Sequence, residues 1–222
     1  MEMTRRTALV DLDGTLTDPA DGIIGGFQFA LRSLGETVPE RASLTWVIGP
    51  PLRQAFPRLL GNPSKDRVEA AVTAYRDYYR ERGLYEATVY DGIPDTLERL
   101  RAAGFRLMVC TVKPRHFAGP VIEHFGLASH FDGIYGAELD GRFEDKGDLI
   151  EHIIAENGLS AAGMVMIGDR GIDMIAAKRN AIRGIGVTWG YGTADELREG
   201  GAHHVCEVPH EVPAAVAAVL EG

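Results

Sequence analysis

From Tyr90 onward the chain alternates short apolar runs with amphipathic stretches, and no other feature narrows the fold so far. Runs at 105–110, 131–137, 163–167, 184–188 and 203–206 read as strands. Between them, 95–103, 114–125, 146–157, 172–180 and 194–199 carry helical spacing, and an Ala/Val-rich helix follows at the end. Parallel strands need a crossover long enough to hold a helix, so this alternation implies an α/β parallel sheet covered on both faces. One more strand stands apart from the series. Residues 7–10 are Thr-Ala-Leu-Val, a run without alternation that suits a strand buried on both sides.

Between that first strand and the alternating region the pattern is helical. Ile23, Ile24, Phe27, Leu31 and Leu34 recur at three- and four-residue spacing, which predicts a helix to about Gly35. A short helix is expected over 44–48, stopped by Gly49-Pro50-Pro51, and a third over 52–60, bent or shortened by Pro57. Ser64 suits the N-cap of a fourth, ending near Gly83. The expected organisation is therefore a Rossmann-like α/β core from residues 1–18 and 84–222, with 19–83 as a small all-helical cap inserted after the first strand. Tyr75, Tyr78 and Tyr79 share a helical face, and packing within the cap accounts for them. Arg53 follows the Gly-Pro-Pro break near a helix start, where it either meets a substrate anion or lies in solvent.

Composition removes several function classes. A formal charge of −9 argues against a broad surface for nucleic acid or anionic membrane. No apolar run reaches membrane-spanning length, and the few apolar residues before Asp11 are too short for a signal-peptide core. The two cysteines, Cys110 and Cys206, sit in apolar runs and are expected as buried thiols. The expectation is a cytoplasmic protein without nucleic-acid or membrane partners; oligomeric state leaves no signature. Only four of the 23 basic residues are lysines, at 65, 113, 146 and 178, so each is a position to inspect.

Polar residues cluster where the strands end. Asp11 and Asp13 close the first strand, and side chains two apart on an extended segment point the same way. Thr111-Val112-Lys113-Pro114 follows the 105–110 strand, Gly168-Asp169-Arg170-Gly171-Ile172-Asp173 follows 163–167, and Lys146 opens a helix. Ligands of open parallel sheets collect beyond these strand ends. Aspartates without a histidine or cysteine nearby in sequence suit a hard cation, Mg²⁺ best of all. A hydroxyl, helix-start N–H groups and a lysine suit phosphate oxygens. Phosphate monoesters hydrolyse so slowly unaided that enzymes supply up to ~10²¹-fold acceleration, and a metal with fixed cations is an efficient source. One aspartate can attack phosphorus while its neighbour protonates the leaving oxygen and later activates water. His203, His204 and Cys206 lack metal-site spacing and read as an edge strand. Glycines 184, 186, 190 and 192 lack the spacing of a dinucleotide loop.

Asp11-Leu12-Asp13-Gly14-Thr15, Thr111, Lys146 and the 168–173 stretch resemble, in order, the four motifs of haloacid dehalogenase-like hydrolases, and the helical insert resembles their cap. Ile48-Gly49-Pro50-Pro51-Leu52, Thr111-Val112-Lys113-Pro114 and Trp189-Gly190-Tyr191-Gly192 look like the phosphoglycolate phosphatase and 5′-nucleotidase-like branch. The resemblance implies that Asp11 is the nucleophile and a Mg²⁺ ligand, and that Asp13 is the general acid/base and lends its backbone carbonyl to the metal. It makes Asp169 the further acidic metal ligand, with Asp173 in support or bound through water. Thr111 would bind the transferring phosphoryl group, and Lys146 would neutralise it and orient Asp11. Lys113 either contacts substrate or holds its loop.

The implied reaction is Mg²⁺-dependent hydrolysis of a small phosphorylated metabolite, phosphoglycolate first, with nucleoside monophosphate hydrolysis or a phosphomutase reaction as alternatives. A closing cap favours a small ester over a phosphoprotein, and Arg53 is the candidate contact for its non-reacting end. Asp13 argues against carbon–halogen hydrolysis, which has no alkoxide to protonate. Lys65, the one lysine of the cap, argues weakly for phosphonate cleavage. A binding protein that kept the fold and lost turnover is the distant alternative, set against the presence of both aspartates.

Overall fold

The computed structural model describes residues 6–61 and 63–221. They fall into two compact units, one up to Thr17 and again from Val89 onward, the other over Asp18–Thr88. Residues 1–5 of the segment expected over 1–18 lie outside the described residues.

The first unit is built on six parallel strands, in spatial order β5-β4-β1-β6-β7-β8. They are β1 (Thr7–Val10), β4 (Arg106–Pro114), β5 (Gly133–Ala137), β6 (Met164–Gly168), β7 (Arg183–Val187) and β8 (His204–Cys206). Two further strands, β2 (Thr17–Asp18) and β3 (Thr88–Val89), pair with each other where the chain leaves and re-enters this unit. The crossovers carry α5 (Arg115–His124), α6 (Lys146–Asn157), α7 (Gly171–Arg179) and α8 (Ala194–Gly200), with α4 (Ile93–Ala102) before β4 and α9 (Val212–Glu221) at the end. β1 lies centrally, paired with β4 on one side and β6 on the other. Chain direction across the sheet reverses there, since β4 and β5 go one way and β6, β7 and β8 the other. That is the switch point at which parallel sheets bind ligands.

Every residue of β1 and β6 is buried, as their unbroken apolar runs predict. On one face Leu9, Met108, Cys110, Met164 and Met166 pack with Leu149, Ile150 and Ile153 of α6 and Ala176 and Ala177 of α7. Strand alternation sends Ala8, Val10, Leu107, Val109 and Val165, all buried, to the opposite face. Cys110 and Cys206 are buried free thiols, each pushed up to about 12 by burial.

β4 runs four residues beyond the strand expected to end at Cys110. Its pairing with β5 jumps from Thr111↔Gly136 to Pro114↔Ala137, a register shift that falls at Val112 and Lys113. Such a bulge re-aims side chains at a strand end and tolerates a proline that cannot donate.

The second unit holds α1 (Ala20–Ser33), α2 (Leu52–Leu60) and α3 (Lys65–Tyr78). Phe27, Phe56, Tyr75 and Tyr79 form its aromatic centre, with ring centroids 4.6 Å apart for Phe27–Phe56 and 5.5 Å for Tyr75–Tyr79. The tyrosine face is thus core, apart from Tyr78, whose hydroxyl donates to Glu86. The Ser64 hydroxyl caps α3 by accepting from the Arg67 amide. Residues 44–48 do not form an α-helix: one 3₁₀ turn, Thr45–Val47, stands there, preceded by another at Arg41–Ser43. A segment this short closes too few i→i+4 bonds to offset nucleation. Pro57 sits inside α2 without breaking it. Beyond α3 a π-helical turn, Tyr79–Gly83, ends the long helix. No described helix is long and apolar enough to cross a membrane.

Candidate active site

Four strand ends and one helix start supply the site. The Asp11 amide donates to the Ile167 carbonyl at 2.9 Å, so the β1–β6 ladder continues into the residue that bears the first carboxylate. Asp11 Oδ1 accepts from the next amide, Leu12, at 2.8 Å. Gly14 then turns the chain at φ +87°, a conformation that favours glycine. A Cβ there would also overlap the carboxylate of Asp169.

The structure brings Asp11, Asp169 and Asp173 together, one carboxylate oxygen of each lying within 4.8 Å of the others. Asp169 and Asp173 have no solvent exposure and Asp11 retains 6%. Lys146, the first residue of α6 and 4% exposed, places its Nζ 2.9 Å from Asp11 Oδ2 and also donates to Asp173 Oδ1. The helix start is fixed by Asp145, whose carboxylate accepts from the Asp148 amide at 3.0 Å. Asp173 spends its second oxygen on the Arg170 amide, 3.0 Å away, at the entry of α7. Both of its oxygens therefore serve groups of this chain, which suits a supporting role.

Burial and like charge dominate the electrostatics. Burial, then the neighbouring Asp11 and Asp173 carboxylates, push Asp169 up to about 7. Burial alone would pull the Lys146 ammonium down, but Asp11 and Asp173 outweigh it and hold Lys146 protonated above its ordinary range. With all groups ionised, three carboxylates face one ammonium, leaving two negative charges in excess. A divalent cation restores the balance, and an all-oxygen donor set is what Mg²⁺ accepts. The residues present fit that metal.

Asp13 takes a different place from the cluster. Its two carboxylate oxygens accept from Lys113 Nζ at 2.8 and 2.7 Å, with Lys113 8% exposed. Thr111, 2% exposed, accepts on Oγ1 from the Lys113 amide at 3.2 Å. The irregular end of β4 thus delivers a hydroxyl and an ammonium to the carboxyl edge of the sheet. Two of the four lysines, Lys113 and Lys146, are buried in this site, while Lys65 and Lys178 are exposed. Arg53 belongs to the helical unit, where Nε and one terminal nitrogen donate to Glu69 at 2.7 and 2.9 Å. His203, on the loop entering edge strand β8, accepts on Nδ1 from the Gly184 amide.

Several participants escaped the sequence reading. The Tyr191 amide donates to Asp169 Oδ2 at 2.8 Å, the Trp189 indole N–H donates to the Thr15 carbonyl at 3.0 Å, and Glu196 accepts from the Gly171 amide at 2.7 Å. The Trp189-Gly190-Tyr191-Gly192 motif marks the first two in the sequence without revealing these bonds, and Glu196 carries no signal there.

A central parallel strand ending in paired aspartates, with a hydroxyl, a lysine and a second acidic loop at neighbouring strand ends, defines a class. Residues 8–187 match the haloacid dehalogenase-like hydrolase family, and the chain belongs to it. Among curated proteins it is 47% identical over 198 residues to a 5′-nucleotidase of Pseudomonas aeruginosa, covering 89% of each chain. It is 40% identical over 187 residues to tyrosine-protein kinase PtkA of Mycobacterium tuberculosis, 84% of this chain but 63% of that one. A phosphoglycolate phosphatase of Agrobacterium fabrum shares 30% over 188 residues, 83% of this chain and 81% of its own. Among solved structures, a predicted phosphatase from Clostridium acetobutylicum superposes with a TM-score of 0.90 at 37% identity, over 96% of this chain and 99% of that one. Within the family the chain falls on the phosphatase side, in the phosphoglycolate phosphatase and 5′-nucleotidase-like branch.

Proposed function

We propose that this chain hydrolyses a small phosphate monoester with Mg²⁺ through an aspartyl-phosphate on Asp11. The observation that carries the reading is the buried cluster of Asp11, Asp169 and Asp173 around the single ammonium of Lys146. Asp11 and Asp169, with the backbone carbonyl of Asp13, would hold Mg²⁺, whose chemistry there is to neutralise the phosphoryl oxygens as Asp11 attacks.

The chain's own groups account for the rest. Asp11 attacks phosphorus, its Oδ1 and Oδ2 oriented by the Leu12 amide and Lys146. Thr111 and Lys146 hold the transferring phosphoryl group. Asp13 gives a proton to the departing oxygen and then takes one from the water that opens the acyl phosphate. In the free protein Lys113 grips both oxygens of Asp13, so it positions that carboxylate as well as standing where a substrate oxygen could share its ammonium.

Nucleoside 5′-monophosphates come before phosphoglycolate as the substrate class, because the 47% identical relative bears the nucleotidase name and the phosphoglycolate phosphatase relative stands at 30%. Arg53 is the proposed contact for the non-reacting end, and a substrate anion there would share the guanidinium with Glu69. The kinase name of another relative would need a tyrosine hydroxyl in place of water, and nothing in the aspartate cluster selects for one. The test is inorganic phosphate release with Mg²⁺ from nucleoside monophosphates, 2-phosphoglycolate and sugar phosphates at equal concentration, with Asp11→Asn alongside. One nucleotide standing well above the rest by kcat/KM is expected, with Arg53→Ala narrowing that preference more than it slows general turnover. Release that survives Asp11→Asn, or no release at all, contradicts the proposal.

A further inference from the structure

The loop that joins β7 to α8 does more than connect them. It lies against two stretches that carry the site's acidic groups, and it touches each through a specific atom. The indole N–H of Trp189 donates to the carbonyl of Thr15, on the turn that follows Asp11 and Asp13. Two residues on, the backbone amide of Tyr191 donates to Oδ2 of Asp169. Gly190, between them, leaves no room for a side chain: a Cβ there would overlap the Gly14 carbonyl oxygen and the Asp169 carboxylate together. Gly192 is similarly pressed against the Asp169 carbonyl. The far end of the loop is anchored too. Thr193 caps α8 by accepting from the Glu196 amide, and Glu196 Oε1 accepts from the Gly171 amide at 2.7 Å and Arg170 Nε at 3.0 Å.

From this arrangement we infer that Trp189-Gly190-Tyr191-Gly192 is a clamp that sets the position of Asp169 relative to the Asp11–Thr15 turn, and thereby the site's affinity for its divalent cation. The inference rests on the metal-binding reading above and extends it to residues that hold no ligand themselves. Its physical basis is the division of labour on Asp169. Oδ2 accepts from a neutral backbone amide that does not titrate, while Oδ1 accepts from the Thr15 hydroxyl at 3.4 Å. A carboxylate with one oxygen fixed in this way cannot rotate out of line. Groups that orient a metal ligand from behind typically carry ~10–100-fold in metal affinity. Trp189 and Gly190 are thus positioning residues, and neither reaches the reacting atoms.

The experiment is Mg²⁺ titration calorimetry on the full chain, wild type beside Asp169→Asn, Trp189→Phe and Gly190→Ala, with each melting temperature taken in EDTA. Trp189→Phe keeps an aromatic side chain while losing the indole N–H and the ring half that bears it; its dissociation constant for Mg²⁺ should rise about tenfold while its metal-free melting temperature stays near wild type. Gly190→Ala should weaken binding further, and if it does not fold, Trp189→Phe decides alone. Turnover should divide accordingly: half-saturation by Mg²⁺ moves up in Trp189→Phe and kcat returns at saturating metal. Wild-type binding that Asp169→Asn abolishes and Trp189→Phe leaves unchanged overturns the clamp and spares the metal site. A wild type that binds no Mg²⁺ overturns both.

Discussion

Lys146→Met is the substitution whose consequence follows most directly from the structure. Methionine keeps much of the lysine's length and removes the one ammonium that lies between Asp11 and Asp173. The cluster then holds three carboxylates, almost fully buried, without the ammonium that pairs with two of them. Breaking a buried pair by removing one partner costs roughly 3–5 kcal/mol, because the other charge stays behind unpaired. In a domain of this size each kcal/mol moves the melting temperature by about 2–4 °C, so the loss should be roughly 6–20 °C in EDTA at pH 8. At pH 5 the deficit should shrink, since Asp169, pushed up to about 7 by burial and its neighbours, is then protonated in the folded chain. Mg²⁺ at pH 8 should recover part of it by supplying the missing positive charge. The assay is thermal unfolding of both proteins at the two pH values, with and without metal. A Lys146→Met protein that melts with wild type at pH 8 in EDTA would refute the electrostatic reasoning. So would a deficit that does not change with pH.

Two further expectations concern neighbouring groups. Metal-free protein should lose stability as pH rises from about 5 to 8: Asp169 titrates near 7 when folded and near 3.8 when unfolded, so the folded state binds the extra proton and loses that advantage on the alkaline side. His203, held below its ordinary range by burial, acts with the opposite sign near neutrality, so the informative quantity is the difference from Asp169→Asn, whose stability should vary less across this window. Lys113→Ala should lower kcat/KM for alkyl phosphates by about 10–100-fold, part of what a general acid contributes, and spare p-nitrophenyl phosphate, whose leaving group needs no proton. Equal losses on both substrates would show that Lys113 does not act through Asp13.

Much of this site was legible because its side chains sit at successive strand ends. Asp11, Thr111 and Asp169 each follow an apolar run, and Lys146 opens a helix whose limits, Lys146–Asn157, the periodicity predicts to the residue. Pairings set by tertiary approach were not legible. Lys113 and Asp13 stand one hundred positions apart and meet because β4 continues past Cys110 with an irregular end beside β1. Sheet order was equally hidden, since alternation fixes parallel direction without saying on which side of β1 a later strand adds. Trp189 and Tyr191 stood out as part of a motif, but the bonds they make were hidden for a third reason. What Tyr191 gives to Asp169 is a backbone amide, which every residue but proline possesses, so residue type carries no signal of it. The 3₁₀ turn at Thr45–Val47, against a helix expected over 44–48, shows how little local pattern decides in so short a segment.

The central claim is that Asp11 becomes phosphorylated during turnover. The direct measurement mixes the protein with Mg²⁺ and a substrate labelled with radioactive phosphorus, quenches in acid within one turnover, and counts label retained on the protein. The account predicts label on wild type that hydroxylamine releases, as it does from an acyl phosphate, and none on Asp11→Asn. Phosphate released at full rate with no label trapped at any time, or label that persists in Asp11→Asn, would contradict it.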